Sequence, residues 1–226
     1  MNTFSHLIDK VKNDDDDTKN TASKSIRLVY QVSSRLAIDI GGRYFLKAGS
    51  NVNLKEVEII NLVRDKTDIP VPIIVEYWTF EGINFILMKK VEGRLLNDIW
   101  ESLSYEEKKE VANNISIIIR KMREVRDRDG VLVHGDLIPL NIFINLYDLK
   151  ILAIIDWETA NFSNMERETS IMKDAPSDWY KMIMMTLSIV HETATEDSFT
   201  DSWNCECGYN NMTNVNVCAR EGCGTV

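Results

Sequence analysis

The apolar pattern of this chain changes its period once, near residue 89, and this change restricts the fold more than any other feature of the sequence. Between residues 26 and 88, apolar residues come in short runs separated by turn residues, which is typical of strands. Between residues 104 and 125 they recur at helical spacing, which is typical of one long amphipathic helix. A strand-rich part followed by a helical part predicts an α+β protein.

The strand-rich part is predicted to contain a hairpin, one helix and two further strands. A glycine pair, Gly41-Gly42, lies between two apolar runs and predicts a tight hairpin turn. Two prolines, Pro70 and Pro72, keep the residues before them extended. The predicted elements are a hairpin over 36–47, a helix over 53–65, an extended segment over 69–72, and strands over 73–78 and 83–88.

The helical part begins at a recognisable helix start. Ser104 and Glu107 are spaced as a capping box, in which each side chain bonds the backbone N–H of the other residue. Asp129-Gly130 is predicted to end this helix. Further on, the sequence predicts short strands over 131–133, 142–144 and 151–155, and a last helix over 179–191.

Composition and charge restrict the partners and the compartment. Hydrophobic residues make up 44% of the sequence, which is enough for a buried core. The net charge of -9 argues against DNA and anionic membranes as partners, because both favour a basic surface. We find no apolar stretch long enough to cross a bilayer and no secretory signal, so we expect a cytoplasmic protein, with the nucleus as the alternative.

Three oxygen-bearing side chains and one amine offer the chemistry that phosphoryl transfer from ATP requires. Asp136 lies in a loop between two short predicted strands, where its carboxylate can orient a hydroxyl and accept its proton. Asn141 and Asp156 offer hard oxygen ligands for Mg²⁺. Lys47 offers a cation for the phosphates, and Glu56 on the next predicted helix is the carboxylate that would hold it. Taken singly, each of these residues is also explained as a turn or a solvated surface position.

The same residues form motifs that resemble a known family. Residues 134–141 read H-G-D-x-x-x-x-N and residues 154–158 read I-I-D-W-E, which is similar to the catalytic and metal-binding motifs of the aminoglycoside phosphotransferase-like kinases. Phe45–Gly49, Glu56 and Thr67–Pro72 look like the amino-terminal lobe of the branch common in fungi. The resemblance implies a bilobal protein-kinase-like α+β fold.

The resemblance also implies a reaction and the residues that perform it. Asp136 would be the catalytic base, and Asn141 and Asp156 would hold Mg²⁺. The reaction would move the γ-phosphate of ATP to a hydroxyl of a small-molecule acceptor. His134 would brace the catalytic loop and would not act as a base.

The nucleotide contacts follow from the same resemblance. Lys47, paired with Glu56, would contact the α- and β-phosphates of ATP. The segment Met88-Lys89-Lys90-Val91 looks like the family's hinge, whose backbone would hold the adenine. We find no glycine-rich phosphate loop ahead of Lys47, since Gly41-Gly42 is too close to it and is predicted to be a hairpin turn.

The chain departs from the family in the half that binds the acceptor. Residues 127–131 replace a long insertion with helices, and the sequence after Glu158 has room for about one helix. We therefore expect a truncated C-terminal lobe and a less completely enclosed acceptor pocket, which would lower the rate. The alternative function is a catalytically weak or inactive pseudokinase that acts as a nucleotide-binding or protein-interaction module.

All four cysteines lie near the end of the chain and predict a zinc site, with free thiols as the alternative. Cys205, Cys207, Cys218 and Cys223 form two close pairs, and four thiolates can enclose Zn²⁺ tetrahedrally. The segment resembles zinc fingers of the Ran-binding nucleoporin type, although the spacing within each pair differs from that family. Such a finger would contact protein, ubiquitin or single-stranded RNA.

These features divide the sequence into four predicted segments. They are a flexible acidic N-terminus over 1–25 that includes Asp14–Asp17, a kinase-like N-lobe over 26–88, a reduced C-lobe with the catalytic loop over 89–197, and a zinc-finger-like tail over 198–226.

Overall fold

The structure is a computed structural model that describes residues 26–32, 34–174 and 178–196. The chain divides into two compact units, Met1–Ile183 and Met184–Val226. The predicted acidic N-terminus and the predicted zinc site at the four cysteines lie outside the described residues. Within the described ranges, every helix is too short or too polar to span a bilayer.

A five-stranded antiparallel sheet forms the first part of the chain. Its strands are β1 (Ile26–Val32), β2 (Arg35–Ile40), β3 (Tyr44–Gly49), β4 (Ile74–Phe80) and β5 (Ile83–Lys89), in the order β1-β2-β3-β5-β4. Helix α1 (Lys55–Lys66) lies between β3 and β4 in the chain. The predicted hairpin, helix and two later strands are confirmed, with bounds that differ by one or two residues.

The turn between β2 and β3 has the conformation that a glycine pair predicts. Gly41 and Gly42 have φ values of 61° and 72°, a region that side-chain-bearing residues rarely adopt. The carboxylate of Asp39 accepts the Gly42 N–H at 2.9 Å and closes the turn. This turn fixes the register of the hairpin, in which Ala37 pairs with Lys47 and Arg35 with Gly49.

The two faces of the sheet have different partners. On one face Tyr44, Leu46 and Leu87 form a buried cluster with neighbouring apolar side chains of the sheet. On the other face Ile86 and Met88 pack with Val57 of α1. Because directly paired residues of an antiparallel sheet point to the same side, Lys47, which is paired with Ile86, lies on the α1 side.

Helix α2 (Tyr105–Glu124) is the main helix of the second part. The capping box of Ser104 and Glu107 is present as predicted, and the predicted apolar face is buried. The helix stops at Glu124, a few residues before the predicted stop signal Asp129-Gly130. Two short strands, β7 (Arg126–Asp127) and β8 (Gly130–Val133), pair as a hairpin after it, and β8 contains the strand predicted over 131–133. Pairing of β8 with a later strand stabilises this hairpin, and the helical pattern carries no signal of that pairing.

Two small antiparallel sheets flank the predicted catalytic loop. One contains β10 (Ile151–Ile154), β9 (Ile142–Ile144) and β6 (Arg94–Leu95), and the other contains β11 (Asn161–Ser163), β8 and β7. Residues 134–141 therefore connect a strand of one small sheet to a strand of the other. The backbone N–H of Ile155 donates to the carbonyl of Asn141 at 2.9 Å, which joins the end of β10 to this loop.

Two helices complete the described chain, α3 (Glu166–Ile171) and α4 (Trp179–Glu196). Trp179, at the start of α4, is buried and donates its indole N–H to the carbonyl of Leu137 at 3.2 Å. Its ring meets that of Trp100 edge to face, with 5.0 Å between ring centroids. Aromatic side chains thus pack against and bond the loop of residues 134–141.

Candidate active site

The side chain of Lys47 links the sheet to α1 and to the residue after β10 through hydrogen bonds. It extends from β3, and its Nζ donates to Glu56 Oε1 at 2.8 Å and to Asp156 Oδ1 at 2.7 Å. Burial by itself lowers the pKa of Lys47, but the charges of Glu56 and Asp156 outweigh it and raise this pKa to about 12. Burial raises the pKa of Glu56, and the ammonium bonded to both of its oxygens opposes that rise. The side chain of Lys47 is thus a fixed, charged donor.

Asp156 occupies an uncommon backbone conformation directly after β10. Its φ of 65° and ψ of 55° are left-handed, and the 3₁₀ turn Trp157–Thr159 follows at once. This turn brings Glu158 back beside Asp156. One carboxylate oxygen each from Glu56, Asp156 and Glu158 lies within 4.8 Å of the others, a grouping that can hold a metal ion.

Asp136 and Asn141 are bonded to each other within the loop. The Asn141 side-chain N–H₂ donates to the backbone carbonyl of Asp136 and to its Oδ2, both at 2.8 Å. Burial raises the pKa of Asp136, as do the charges of Asp156 and Glu158, while the bond from Asn141 lowers it. A carboxylate with a raised pKa is a better proton acceptor than an ordinary aspartate.

His134 and Glu168 hold the backbone of this loop from inside the protein. The buried imidazole accepts the Asp136 N–H on Nδ1 at 3.2 Å, and its Nε2 lies 2.9 Å from the Ile155 carbonyl, which makes Nε2 the protonated nitrogen. Burial lowers the pKa of His134 to about 4, so the ring is neutral. The Glu168 carboxylate of α3 accepts the N–H groups of His134 and Gly135. His134 thus braces the loop.

The predicted hinge, residues 88–91, follows β5. The N–H of Lys89 donates to the Ile73 carbonyl and that of Lys90 to the Arg43 carbonyl, both at 2.8 Å. The Lys90 side chain pairs with the buried carboxylate of Asp39 at 2.6 Å. Since these two N–H groups are already bonded, a nucleotide base would have to use other groups of the hinge, such as the backbone of Val91.

The predicted site residues therefore fall into one cluster and one separate segment. Lys47, Glu56 and Asp156 are in direct contact, and Asp136 and Asn141 are joined to them through the Ile155–Asn141 backbone bond. Met88–Val91 lies at the end of β5. The cysteines are outside the described residues.

Three residues of this region were not predicted as site residues. Glu158 lies two positions after Asp156 and was noticed only as part of the I-I-D-W-E motif. Glu168 and Arg35 carry no motif. Arg35 donates to Glu158 Oε1 at 2.6 Å although the two residues are 123 positions apart. No local pattern in the sequence could have revealed that contact.

The donor set fits a hard divalent cation and a phosphate chain. Asp156, Glu158 and the side-chain carbonyl of Asn141 offer oxygen ligands of the kind that Mg²⁺ prefers. The Asp156 side chain is 35% exposed, so it is accessible from the solvent. Lys47 and Arg35 supply positive charge beside these oxygens.

Part of the chain matches the model of a known protein family. Residues 100–178 match the model of the phosphotransferase enzyme family, APH. The match includes Asp136, Asn141 and Asp156, and it begins after Lys47 and the hinge. A search of curated proteins found no match.

Solved aminoglycoside phosphotransferases have a similar fold. The GDP complex of a mutant aminoglycoside 2'-phosphotransferase-IIIa has a TM-score of 0.65 and 14% identity, over 82% of this chain and 82% of that chain. ADP-bound APH(2'')-Ib has a TM-score of 0.63 and 10% identity, over 86% of this chain and 85% of that chain. The ternary complex of APH(2")-IIa with streptomycin and ATP has a TM-score of 0.63 and 12% identity, over 83% of this chain and 84% of that chain. The chain thus has the kinase-like fold of the aminoglycoside phosphotransferases.

Proposed function

We propose that this protein is an ATP-dependent phosphotransferase that moves the γ-phosphate to a hydroxyl of a small molecule. One observation carries the proposal. Lys47 holds Glu56 and Asp156 together at 2.8 and 2.7 Å, and the loop of Asp136 and Asn141 is bonded to the strand end that carries Asp156. A buried cation, a carboxylate base and oxygen ligands for a cation at one place are what phosphoryl transfer requires.

The protein's own groups have distinct tasks in this reaction. Asp136 accepts a hydrogen bond from the acceptor hydroxyl and orients it towards the γ-phosphate. It takes the hydroxyl proton as the new oxygen–phosphorus bond forms and the bond from the γ-phosphorus to the bridging oxygen of ADP breaks, so that ADP leaves. Asn141 keeps the Asp136 carboxylate in place through its N–H₂ group. Mg²⁺, when held by Asp156 and the side-chain oxygen of Asn141, would neutralise charge on the phosphates.

The nucleotide would lie between Lys47 and the hinge. Lys47 binds phosphate oxygens, and Glu56 keeps its ammonium in place. The base would contact the backbone around Val91. Because the similar solved structures contain GDP, ADP or ATP, the choice of base needs a test with both ATP and GTP.

The test is turnover by the purified full-length chain. We expect ADP release from Mg-ATP in the presence of some member of a panel of hydroxylated small molecules, including aminoglycosides. The Asp136→Asn variant should lose at least about 100-fold of this rate and retain nucleotide affinity, because the base is removed without a change in shape. Lys55→Ala, at the exposed start of α1, is the control and should retain the rate. Equal turnover in Asp136→Asn would refute the assignment of the base.

A second candidate function, a nucleotide-binding module with little turnover, is favoured by the connection after α2. The β7–β8 hairpin replaces the helices expected there, so this side of the acceptor pocket has fewer walls. Mg-dependent nucleotide binding without ADP release for any acceptor would favour this candidate. The fungal branch, the truncated lobe and the zinc-finger-like tail stay predictions.

A further inference from the structure

Arg35 is the first residue of β2 and lies on the same side of the sheet as Lys47. The register pairs Arg35 with Gly49 and Ala37 with Lys47, so Arg35 and Lys47 point to one face, two positions apart along the ladder. A Cβ atom at Gly49 would lie 2.0 Å from the carbonyl oxygen of Ser34. Only glycine therefore allows the turn before β2 to approach the end of β3, and this approach places Arg35 beside the cluster of Lys47.

The guanidinium of Arg35 is held from two sides. Its Nη1 donates to Glu158 Oε1 at 2.6 Å and its Nη2 donates to the backbone carbonyl of Asn51 at 2.9 Å. The side chains of Arg35 and Glu158 are 35% and 21% exposed, so this ion pair is accessible to a ligand. The bond to Glu158 raises the pKa of Arg35 further, which keeps the guanidinium charged.

The three carboxylates of this cluster outnumber its two cations, which leaves a surplus of one negative charge. Glu56, Asp156 and Glu158 contribute carboxylates, and Lys47 and Arg35 contribute cations. Lys47 is bonded to two of the carboxylates and is buried, whereas Arg35 is bonded to the third and is more exposed. If a divalent cation draws Glu158 and Asp156 towards itself, Arg35 is the cation that is left to find a new partner.

The phosphates of the nucleotide are a suitable partner for Arg35. A guanidinium binds phosphate oxygens in a two-pronged manner that an ammonium cannot reproduce. Among the described residues before Lys47 there is no glycine-rich loop that could bind phosphates with backbone N–H groups. Its glycine turn, Gly41-Gly42, lies at the other end of the β2–β3 hairpin, where Arg43 is bonded to the hinge residue Lys90.

We infer that Arg35 is a phosphate-binding residue that exchanges Glu158 for the terminal phosphates of the nucleotide, in place of a glycine-rich loop. This inference rests on the proposed function. The Arg35–Glu158 ion pair must then break when the nucleotide binds. Because Glu158 lies in the turn that follows Asp156, breaking the pair would couple nucleotide binding to the position of that turn.

The test measures nucleotide binding by calorimetry, not turnover. Arg35→Ala should bind Mg-ATP about tenfold to a hundredfold more weakly than the wild type, because a charge-assisted contact is lost. Its affinity for AMP should change by less than about twofold, because AMP lacks the terminal phosphates. Arg35→Lys should recover part of the loss. Arg64→Ala, which removes an exposed arginine from α1, is the matched control and should bind Mg-ATP and AMP as the wild type does.

A second variant separates phosphate binding from a loss of folding. Glu158→Gln should bind metal-free ATP about threefold to tenfold more tightly, because Arg35 is released from its competitor. This gain should disappear in the Arg35→Ala/Glu158→Gln double variant. Thermal unfolding checks that each variant is folded.

The outcomes distinguish this inference from the proposed function. Two results would overturn the inference alone, provided that the wild type binds ATP. In one, Arg35→Ala binds ATP as tightly as the wild type does; in the other, it loses affinity for AMP to the same extent as for ATP. A gain in Glu158→Gln that persists without Arg35 would also overturn it. Wild-type protein that binds no nucleotide would overturn the proposed function as well.

Discussion

Lys47 is the residue on which the geometry of the candidate site depends most. Its single nitrogen bonds Glu56, which is 1% exposed, and Asp156, 109 positions later in the chain. The two carboxylates therefore compete for one cation. The strength of the Glu56 bond decides how freely Asp156 can turn towards a metal ion.

We predict that Glu56→Gln raises the Mg²⁺ concentration that nucleotide binding requires. With a neutral partner on α1, the ammonium of Lys47 is attracted chiefly to Asp156 and keeps that carboxylate away from the cation. The Mg²⁺ concentration for half-maximal ATP binding should rise about tenfold, which a titration of Mg²⁺ at fixed ATP would measure.

The control for this experiment lies on the same helix. Glu58→Gln removes an exposed carboxylate of α1 and should leave the Mg²⁺ requirement as it is in the wild type. An unchanged requirement in Glu56→Gln would show that Asp156 is free of Lys47 when the nucleotide binds.

At the scale of elements, α2 gives the second part of the chain its core, and its start is fixed by its own side chains. Ser104 accepts the Glu107 N–H, and Glu107 Oε2 accepts the Ser104 N–H at 2.8 Å. Val111, Ile115 and Ile119 on this helix are at most 1% exposed. Fraying of its first turn would loosen this packing.

We predict that Ser104→Ala lowers the free energy of unfolding by about 1 kcal/mol, the usual cost of losing a helix cap. Urea unfolding followed by circular dichroism would measure the change. Ser102→Ala, which also removes an exposed hydroxyl, two positions earlier, should change stability by less than about 0.5 kcal/mol. Equal losses in the two variants would mean that the capping box contributes nothing specific.

Elements with a local signal could be predicted from the sequence. The Gly41-Gly42 turn and the capping box of α2 are examples, because turn and cap preferences are properties of neighbouring residues. The exact end of α2 could not be predicted. Glu124 ends the helix because the following residues join a small sheet with β11, about 35 positions later, and pairing over that distance leaves no trace in a helical pattern.

At the scale of the whole molecule, the candidate site was predicted only in part. The cluster of Lys47, Asp136 and Asp156 was expected from motifs that resemble a family. Lys47 and Asp156 are in direct contact, and the loop of Asp136 is bonded to the end of β10, whereas the shared catalytic role of these residues stays a prediction. The Arg35–Glu158 contact links equally distant segments, yet neither partner stands out by composition or spacing. Long-range ion pairs depend on which distant segments the fold brings together, and a single sequence does not show this.

The whole fold should also respond to pH through His134. The pKa of its buried ring is about 4 in the folded protein, whereas an unfolded histidine titrates near 6.5. Stability from the neutral ring is therefore complete above pH 6.5, and it falls as the pH drops from 6.5 to about 4, because only the unfolded chain takes up the proton in that range.

We predict that His134→Gln reduces this pH dependence. The difference in unfolding free energy between pH 7 and pH 5, measured by urea unfolding, should be smaller in the variant, even though the variant is less stable at both values. The carboxyl groups contribute to the difference in both proteins, so they cancel in the comparison. The same difference in both proteins would contradict the assignment of a neutral, buried imidazole.

The bond between Glu168 and the loop of His134 and Gly135 has a consequence for shortened versions of this protein. Every motif residue of the site lies before position 160, but the carboxylate that caps the His134 and Gly135 amides comes from α3. A splice form or expressed fragment that ended after β11 would keep all of the signature residues and leave two inward-facing amides without an acceptor, at about 1–3 kcal/mol each. Such a fragment would keep the sequence motifs of the candidate site and would lack the Glu168 contacts that hold the loop backbone.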